Sequence, residues 1–390
     1  MKKLRIGLFG FGVVGEGIYR VLTEKSNLNC EIARVCIKNP EKKRNAPAHL
    51  FTTDHASILD DASINVVVEL IDDSDAAFQL VKRALTSGKA VVSANKKMIA
   101  EHHAELIALQ EKHQTSFLYE ASVCGSIPIL RNLEEYFDND LLQHVTGIVN
   151  GSTNYILTQM CQQDVPFDES LKAAQQNGFA ESNPTLDVEG IDAAYKLSII
   201  CLHAFGKLVN ADSILRKGIG SIKPIDLKFA KEKGLAIKLI ASTHNNEEGL
   251  SASVLPTFIT EGKTLSRVDN EYNGLLIGST LADEQFLYGK GAGRYPTSSA
   301  VLSDISALRY DYKYEFRKGQ QRTQPRTDGF GRFYVSFQKN EPIDLGLFDT
   351  IEEQYTNHEM AYVVGTIRFS ELYASDVWQQ QDVSLIAISE

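Results

Sequence analysis

The stretch Gly178 to Phe205, GFAESNPTLDVEGIDAAYKLSIICLHAF, gathers Glu181, Asp187, Asp192 and Lys196 in a loop and the segment that follows it. Asp192 and Lys196 are spaced i, i+4 in a helically patterned run, so their side chains share one face about a turn apart. Leu197, Ile199, Ile200, Leu202 and Phe205 follow. A charged cluster leading into such an apolar run is costly to bury unless each charge meets a partner or a polar substrate. Acids decorating a helix start, where they favour its dipole, are the structural alternative.

A second set of residues opens the chain. Leu4 to Phe9 is a short apolar run suited to a buried parallel strand, and Gly10-Phe11-Gly12-Val13-Val14-Gly15 follows at once. Val13, Val14, Ile18, Val21 and Leu22 recur at helical spacing, so the glycines occupy a strand-to-helix turn. In that context G-x-G-x-x-G is a dinucleotide-binding turn. Gly10 permits the bend, Gly12 lets the backbone approach a pyrophosphate at the helix N-terminus, and Gly15 lets helix and strand pack closely. A glycine-rich turn without a ligand is the alternative. After the second strand, Glu31 to Ile37, an NAD-selective site carries an acid for the adenosine ribose, whereas here Lys38 and Asn39 precede Lys42, Lys43 and Arg44. This favours a ribose 2′-phosphate, hence NADP, over NAD, against the reading of a solvated basic loop.

These residues need an open α/β sheet beneath them. Ile64 to Ile71 reads as a third strand, Ala76 to Ser87 as a helix stopped by Gly88, and Ala90 to Val92 as a fourth strand running into Ser93-Ala94-Asn95-Lys96. Lys96 thereby stands at the carboxyl end of a parallel strand, where ligands of such sheets collect. A helix over Ile99 to His113 and a strand over Ser116 to Tyr119 continue the alternation, which predicts a Rossmann-type, doubly wound parallel sheet over 1–130. From Pro128 the texture changes: a helix over Ile129 to Phe137 precedes strands at Val145 to Val149, Ile237 to Thr243, Leu250 to Leu255 and Leu275 to Ser279, a second, α+β domain over 131–294. A second glycine-rich turn at 289–293 enters a helix that completes the first domain at about 295–315. Gln320 to Asp328 reads as a linker.

Length, charge and cysteine usage narrow the class. The chain has 390 residues, enough for two or three domains, and a formal net charge of −10, which argues against nucleic acid as a partner. Five cysteines without a Cys-x-x-Cys pair suit reduced thiols in a cytoplasmic protein. Lys2 and Lys3 before an apolar run imitate a signal peptide, but Arg5 interrupts it and no cleavage pattern follows. No apolar stretch approaches the roughly 20 residues of a membrane helix.

Over about residues 1 to 310 the chain resembles homoserine dehydrogenase. The matching segments are GFGVVG at 10–15, SANK at 93–96, YEASVCG at 119–125, GIVNGSTNYIL at 147–157, GFAESNPTLDVEGIDAAYKL at 178–197 and GKGAGRYPTSSAV at 289–301. The resemblance implies interconversion of L-homoserine and L-aspartate 4-semialdehyde with NADP or NAD, and makes 131–294 a substrate-binding and dimerisation domain of a homodimer or homotetramer. It makes Glu181 a ligand of the substrate, with Asp187 assisting, and Asp192 and Lys196 the polar centre, Lys196 being the favoured acid/base and Lys96 close to substrate and nicotinamide. Ser93 would neighbour the nicotinamide ribose, and Gly293 the cofactor; the Ser152 hydroxyl and backbone N–H groups would take the substrate carboxylate. It also implies a sodium ion on the backbone carbonyls of Glu120, Val123, Gly125 and Ile127.

Three departures stand out. Asp72-Asp73 replaces a Gly-Gly pair near the cofactor, where two carboxylates would repel its phosphates. Cys124 replaces a small residue. The tail over 329–390 has the strand and helix order of a small ACT-like domain, with strands at Phe333 to Phe337, Ala361 to Phe369 and Ser384 to Ile388 and a helix near Leu345 to Tyr355, but Asn340 to Leu345 occupies the place of the effector-binding turn. Aspartate-semialdehyde dehydrogenase, which needs a thiolate with a histidine base, and a cofactor sensor without catalysis are the rival readings.

Overall fold

The protein is described by a computed structural model over residues 3–24, 28–139 and 141–389. Its chain forms two compact units, one of Met1–Asn139, Leu202–Leu208 and Gly289–Gln321, the other of Asp140–Cys201, Val209–Tyr288 and Arg322–Glu390.

In the first unit β1 (Leu4–Phe9), β2 (Cys30–Cys36), β3 (Phe51–Thr52), β4 (Val66–Glu69), β5 (Ala90–Ser93) and β6 (Phe117–Leu118) lie in the order β3-β2-β1-β4-β5-β6, and every neighbouring pair is parallel. The Val66-Val67-Val68 run is fully buried, as strands covered on both faces must be. The chain winds outward from β1 to β3 and then returns to the far side of β1 with β4, so the switch point of the sheet lies between β1 and β4. Ligands of open α/β sheets bind outside the strand ends at such a point. Gly10 has φ 93°, and a Cβ there would stand 2.6 Å from the Leu70 carbonyl oxygen, so only glycine lets the turn after β1 pass the turn after β4. The helix Arg294–Ala307 belongs to this unit and packs on the helix Val13–Glu24 at Gly17, where a Cβ would meet Ser298 Oγ at 2.4 Å.

The second unit is built on one large mixed sheet. Its strands are β7 (Leu142–Ile148), β9 (Leu215–Arg216), β10 (Leu235–Asn246), β11 (Gly249–Thr260), β12 (Tyr272–Ser279), β13 (Asp283–Lys290), β15 (Phe330–Gln338), β16 (Phe348–Thr356), β17 (Met360–Arg368) and β18 (Ser384–Ile388). The remaining two, β8 (Lys207–Leu208) and β14 (Gln321–Arg322), pair with each other, which gives the expected linker a β-bridge at its start. The order β13-β12-β7-β10-β11-β18-β15-β17-β16 makes the tail a continuation of this sheet. β18 pairs in parallel with β11, Thr257 opposite Ala387, and antiparallel with β15. Leu215 and Leu255 join Phe333, Val335, Val363, Trp378 and Leu385 in one apolar cluster, so the core of the tail extends into the rest of the second unit.

The helix expected over 345–355 is instead a short 3-10 turn, Leu345–Leu347, followed by strand β16. Thr350, Ile351, Tyr355 and Thr356 are β-formers, and the Asn357 side chain closes a hairpin onto β17 by accepting from the Glu359 and Met360 N–H groups. An exposed edge strand with two irregularities in its pairing shows little alternation, which is why its period misleads.

Because the tail shares its core with β9 and β11, ending the chain after Asp328 uncovers side chains worth about 1.5–3 kcal/mol each. The shortened chain should lose its cooperative thermal transition by circular dichroism and precipitate, whereas a self-contained tail domain would leave a soluble, folded remainder.

Candidate active site

Asp192 and Lys196 lie in the first turns of the helix Ile191–Phe205, whose remaining residues bury the apolar run. Lys196 Nζ stands 2.7 Å from Asp192 Oδ2 and donates to the Val149 carbonyl at 2.7 Å. Both side chains are buried, Asp192 at 3% exposure and Lys196 at 8%, so neither charge is screened by bulk water.

The second acceptor is positioned by the end of β7. After Ile148 the chain turns through Val149 and Asn150 into the helix Gly151–Gln163, with Asn150 as its N-cap: Oδ1 accepts from the Thr153 N–H at 2.9 Å. The same side chain's Nδ2 donates to Asp187 Oδ1 at 2.7 Å and to Asp192 Oδ2 at 2.8 Å. One amide thus caps a helix and holds two carboxylates together. Sequence reading missed Asn150 as a site residue, although its place between a strand and Gly-Ser-Thr is an N-cap signal. Gly151 is required at the next position, where a Cβ would lie 2.5 Å from the Glu271 carbonyl.

Of the substrate residues expected in this unit, Asp187, Asp192 and Lys196 are brought together. Glu181 is exposed in the loop ahead, its carbonyl accepting from the Gln175 side chain at 2.9 Å. Ser152 Oγ donates its only proton to the Phe179 carbonyl. That bond ties the helix start to the loop and takes from Ser152 the donor role expected toward a substrate carboxylate, because a carboxylate can only accept.

In the first unit the turn after β1 holds Gly12 exposed with open space where a Cβ would be, and Val13, at 57% exposure, begins the helix. Gly15 is packed against the Gly10 carbonyl, 2.5 Å from where its Cβ would stand. Phe11 leaves the turn to meet Phe51 and Tyr19 edge-on, and Ser298 Oγ donates to the Val14 carbonyl. Gly293, with φ 115°, directly precedes the helix that carries Ser298. Beyond β2 a cleft of ≈ 590 Å³ is lined by Ile37, Lys42, Lys43, Arg44, Phe51 and Thr52 among others; Lys38 is exposed beside it and does not line it. Ser93 ends β5, and, two residues on, the Asn95 side chain caps the helix Lys96–His113 by accepting from the Met98 N–H at 3.0 Å.

This architecture has counterparts among known proteins. The family model for homoserine dehydrogenase matches residues 128–306, and the model for its NAD-binding domain matches residues 10–120. The Bacillus subtilis homoserine dehydrogenase is 38% identical over 317 residues, covering 79% of this chain and 73% of the relative, and that of Helicobacter pylori is 38% identical over 311. A solved homoserine dehydrogenase from Thiobacillus denitrificans superposes with a TM-score of 0.87 at 28% identity over 100% of this chain and 99% of its own. The chain belongs to the homoserine dehydrogenase family. It is accordingly an oxidoreductase that depends on a nicotinamide dinucleotide.

Two departures from the homoserine dehydrogenase pattern have structural explanations. Asp73 caps the helix Ser74–Thr86, its carboxylate accepting from the Ala76 N–H at 2.9 Å, and Asp72 is exposed. Cys124 is buried with φ 53°, a left-handed position followed by a second at Gly125, φ 52°. All five cysteines are thiols rather than disulfides. The Glu120 carboxylate accepts from the Leu130 and Arg131 N–H groups at 2.8 and 2.9 Å, so it serves a helix start, and burial pushes it up to about 8. Among the described residues no helix is long and apolar enough to cross a membrane.

Replacing Asn150 by Ala removes the donor shared by Asp187 and Asp192 and one helix cap. Charge-assisted hydrogen bonds of this kind are worth about 1.5–3 kcal/mol, and the cap about 1 kcal/mol. Asn150→Ala should lower kcat/KM for homoserine by about a hundredfold while the protein stays folded, as read by steady-state kinetics beside a melting curve.

Proposed function

We propose that the buried Asp192–Lys196 pair is the proton-transfer centre for oxidation of L-homoserine to L-aspartate 4-semialdehyde, and for the reverse reduction. The observation that carries this reading is the anchoring of Lys196 by two acceptors, Asp192 and the Val149 carbonyl, which leaves one direction at its nitrogen for a substrate oxygen. Oxidation of a primary alcohol takes a hydride from the carbon and a proton from the hydroxyl. A bound nicotinamide supplies the hydride acceptor. In the oxidation Lys196 acts as the neutral amine and receives the hydroxyl proton, directly or through one water; in the reduction it acts as the ammonium and returns that proton to the aldehyde oxygen, and Asp192 holds its nitrogen in place throughout.

The substrate's own charges select the remaining groups. Glu181 and Asp187 suit the α-ammonium, and the backbone N–H groups of Gly151 and Ser152, at the start of a capped helix, suit the α-carboxylate in place of the Ser152 hydroxyl. Lys96 and Ser93 are assigned to the nicotinamide half of the cofactor, Gly10, Gly12 and Gly15 with Phe11, Val13 and Val14 to its pyrophosphate, and Gly293 to its second side. The cleft beyond β2 favours NADP, since three cations, Lys42, Lys43 and Arg44, line it beside the single acid Glu41.

A monovalent cation is proposed on the carbonyls of Glu120, Val123, Gly125 and Ile127, a donor set of neutral oxygens that suits a hard ion such as sodium. The paired left-handed residues Cys124 and Gly125 bend this segment sharply, and with the Glu120 carboxylate spent on a helix start the carbonyls are what it offers. Assembly as a homodimer or homotetramer in the cytoplasm is proposed with it; the edge strand β13 carries exposed Phe286 and Tyr288.

Lys196→Ala should lower kcat with homoserine by about 10²- to 10⁴-fold with a much smaller change in KM, the range for loss of a general acid/base. Activity that survives the substitution removes Lys196 from this role. Neutralising Lys43 and Arg44 together should raise the KM for NADP and leave that for NAD nearly unchanged; an equal effect on both would make the basic loop a solvated surface.

A further inference from the structure

We infer that Glu69 is a positioning residue for the cofactor, a buried carboxylate that locks together the two strand-end loops beside which the nicotinamide half is proposed to bind. The inference rests on that placement of the cofactor. Glu69 is the last residue of β4, the strand at the switch point, and stands in register between Phe9 of β1 and Ser93 of β5. It is fully buried.

Its two oxygens hold two different loops. Oε2 accepts the Ser93 hydroxyl at 2.6 Å, and Oε1 accepts the Ile71 N–H at 2.7 Å. Ser93 Oγ in turn accepts the Asn95 N–H at 3.1 Å, and Asn95 Nδ2 donates to the Ile71 carbonyl at 3.1 Å, which closes a ring of hydrogen bonds over the strand ends. Asn95 is also the cap of the helix that starts at Lys96. One carboxylate therefore fixes the chain that leaves β4, the chain that leaves β5, and the first turn carrying Lys96.

A carboxylate is an expensive way to join two loops. Burial drives it up to about 7, with only a hydroxyl and an amide pulling against that and Asp72 adding to it. An apolar residue at a buried strand end would cost the fold less. What the carboxylate adds is acceptance on both sides at once, which points both the Ser93 hydroxyl and the Ile71 amide inward and fixes the two loops at one spacing. Preorganisation of this kind acts on ligand affinity through the loop motion it removes.

Glu69→Gln keeps the shape but leaves one acceptor oxygen where the carboxylate has two, so the side chain can no longer accept from the Ser93 hydroxyl and the Ile71 N–H on opposite sides. In NADPH titrations followed by fluorescence, the folded variant should bind about tenfold more weakly than wild type, with less than a twofold change in the KM for homoserine at saturating cofactor. Ser93→Ala, which leaves the Ile71 contact in place, should show a similar loss, and the double variant should be little worse than either single one, because both break the same link. Unchanged NADPH affinity in folded Glu69→Gln, or full additivity in the double variant, overturns the inference. Should Glu69→Gln fail to fold, Ser93→Ala decides: unaltered NADPH affinity there overturns it as well. A wild-type protein that does not bind NADPH would instead overturn the cofactor assignment on which the inference stands.

Discussion

An ammonium group taken out of water must find acceptors, and the second unit is arranged around meeting that demand for Lys196. One acceptor, Asp192, comes from the preceding turn of the same helix; the other, the Val149 carbonyl, comes from the chain just past β7. Neither would be in place without the strand register that ends β7 at Ile148 and the cap that starts the next helix at Gly151. Asn150 joins the two requirements, because the side chain that caps the helix also donates to Asp187 and Asp192. Secondary structure, ion pairing and the candidate chemistry thus converge on one two-residue connection, Val149 and Asn150.

The first unit solves the opposite problem, that of holding backbone open for a ligand rather than closing side chains on a charge. Gly10 and Gly15 are occupied on the protein side, against Leu70 and Gly10 respectively, while Gly12 faces open space. One of the two acids that threatened this region is directed elsewhere: Asp73 caps its own helix, its carboxylate accepting from the Ala76 N–H.

Much of this was legible because period and punctuation agreed. The apolar runs at 4–9 and 64–71, the glycine turn and the helix stop at Gly88 each point to the same doubly wound sheet, and the i, i+4 spacing of Asp192 and Lys196 is realised as a 2.7 Å pair. Bonds between distant residues were not legible. Nothing in the Gly151-Ser152-Thr153 pattern says that the Ser152 proton goes to Phe179, or that Asn150 reaches residues 37 and 42 positions later. The tail was legible in part for a related reason: its strands can be read along the chain, whereas the pairing of β18 with β11 and the apolar cluster shared with Leu215 and Leu255, which join it to the second sheet, cannot.

The buried carboxylates of the molecule show how partner chemistry, more than burial, divides structural from functional use. Glu120 accepts two helix N–H groups and lies with Asp304 and Arg131, whose guanidinium reaches Asp304 at 2.9 Å. Asp226 accepts from the Lys223 N–H at the start of its own helix, and burial raises its pKa against the pull of that bond. Asp192 differs in its partners, a lysine nitrogen that can carry a transferable proton and an amide that it shares with Asp187. Glu69 falls between these cases, buried like Glu120 but with its hydrogen bonds reaching the loops at the carboxyl edge of the sheet. A carboxylate enclosed by fixed backbone donors maintains structure; one whose partner carries a transferable proton, or whose partners border a ligand, passes the cost of its burial on to function.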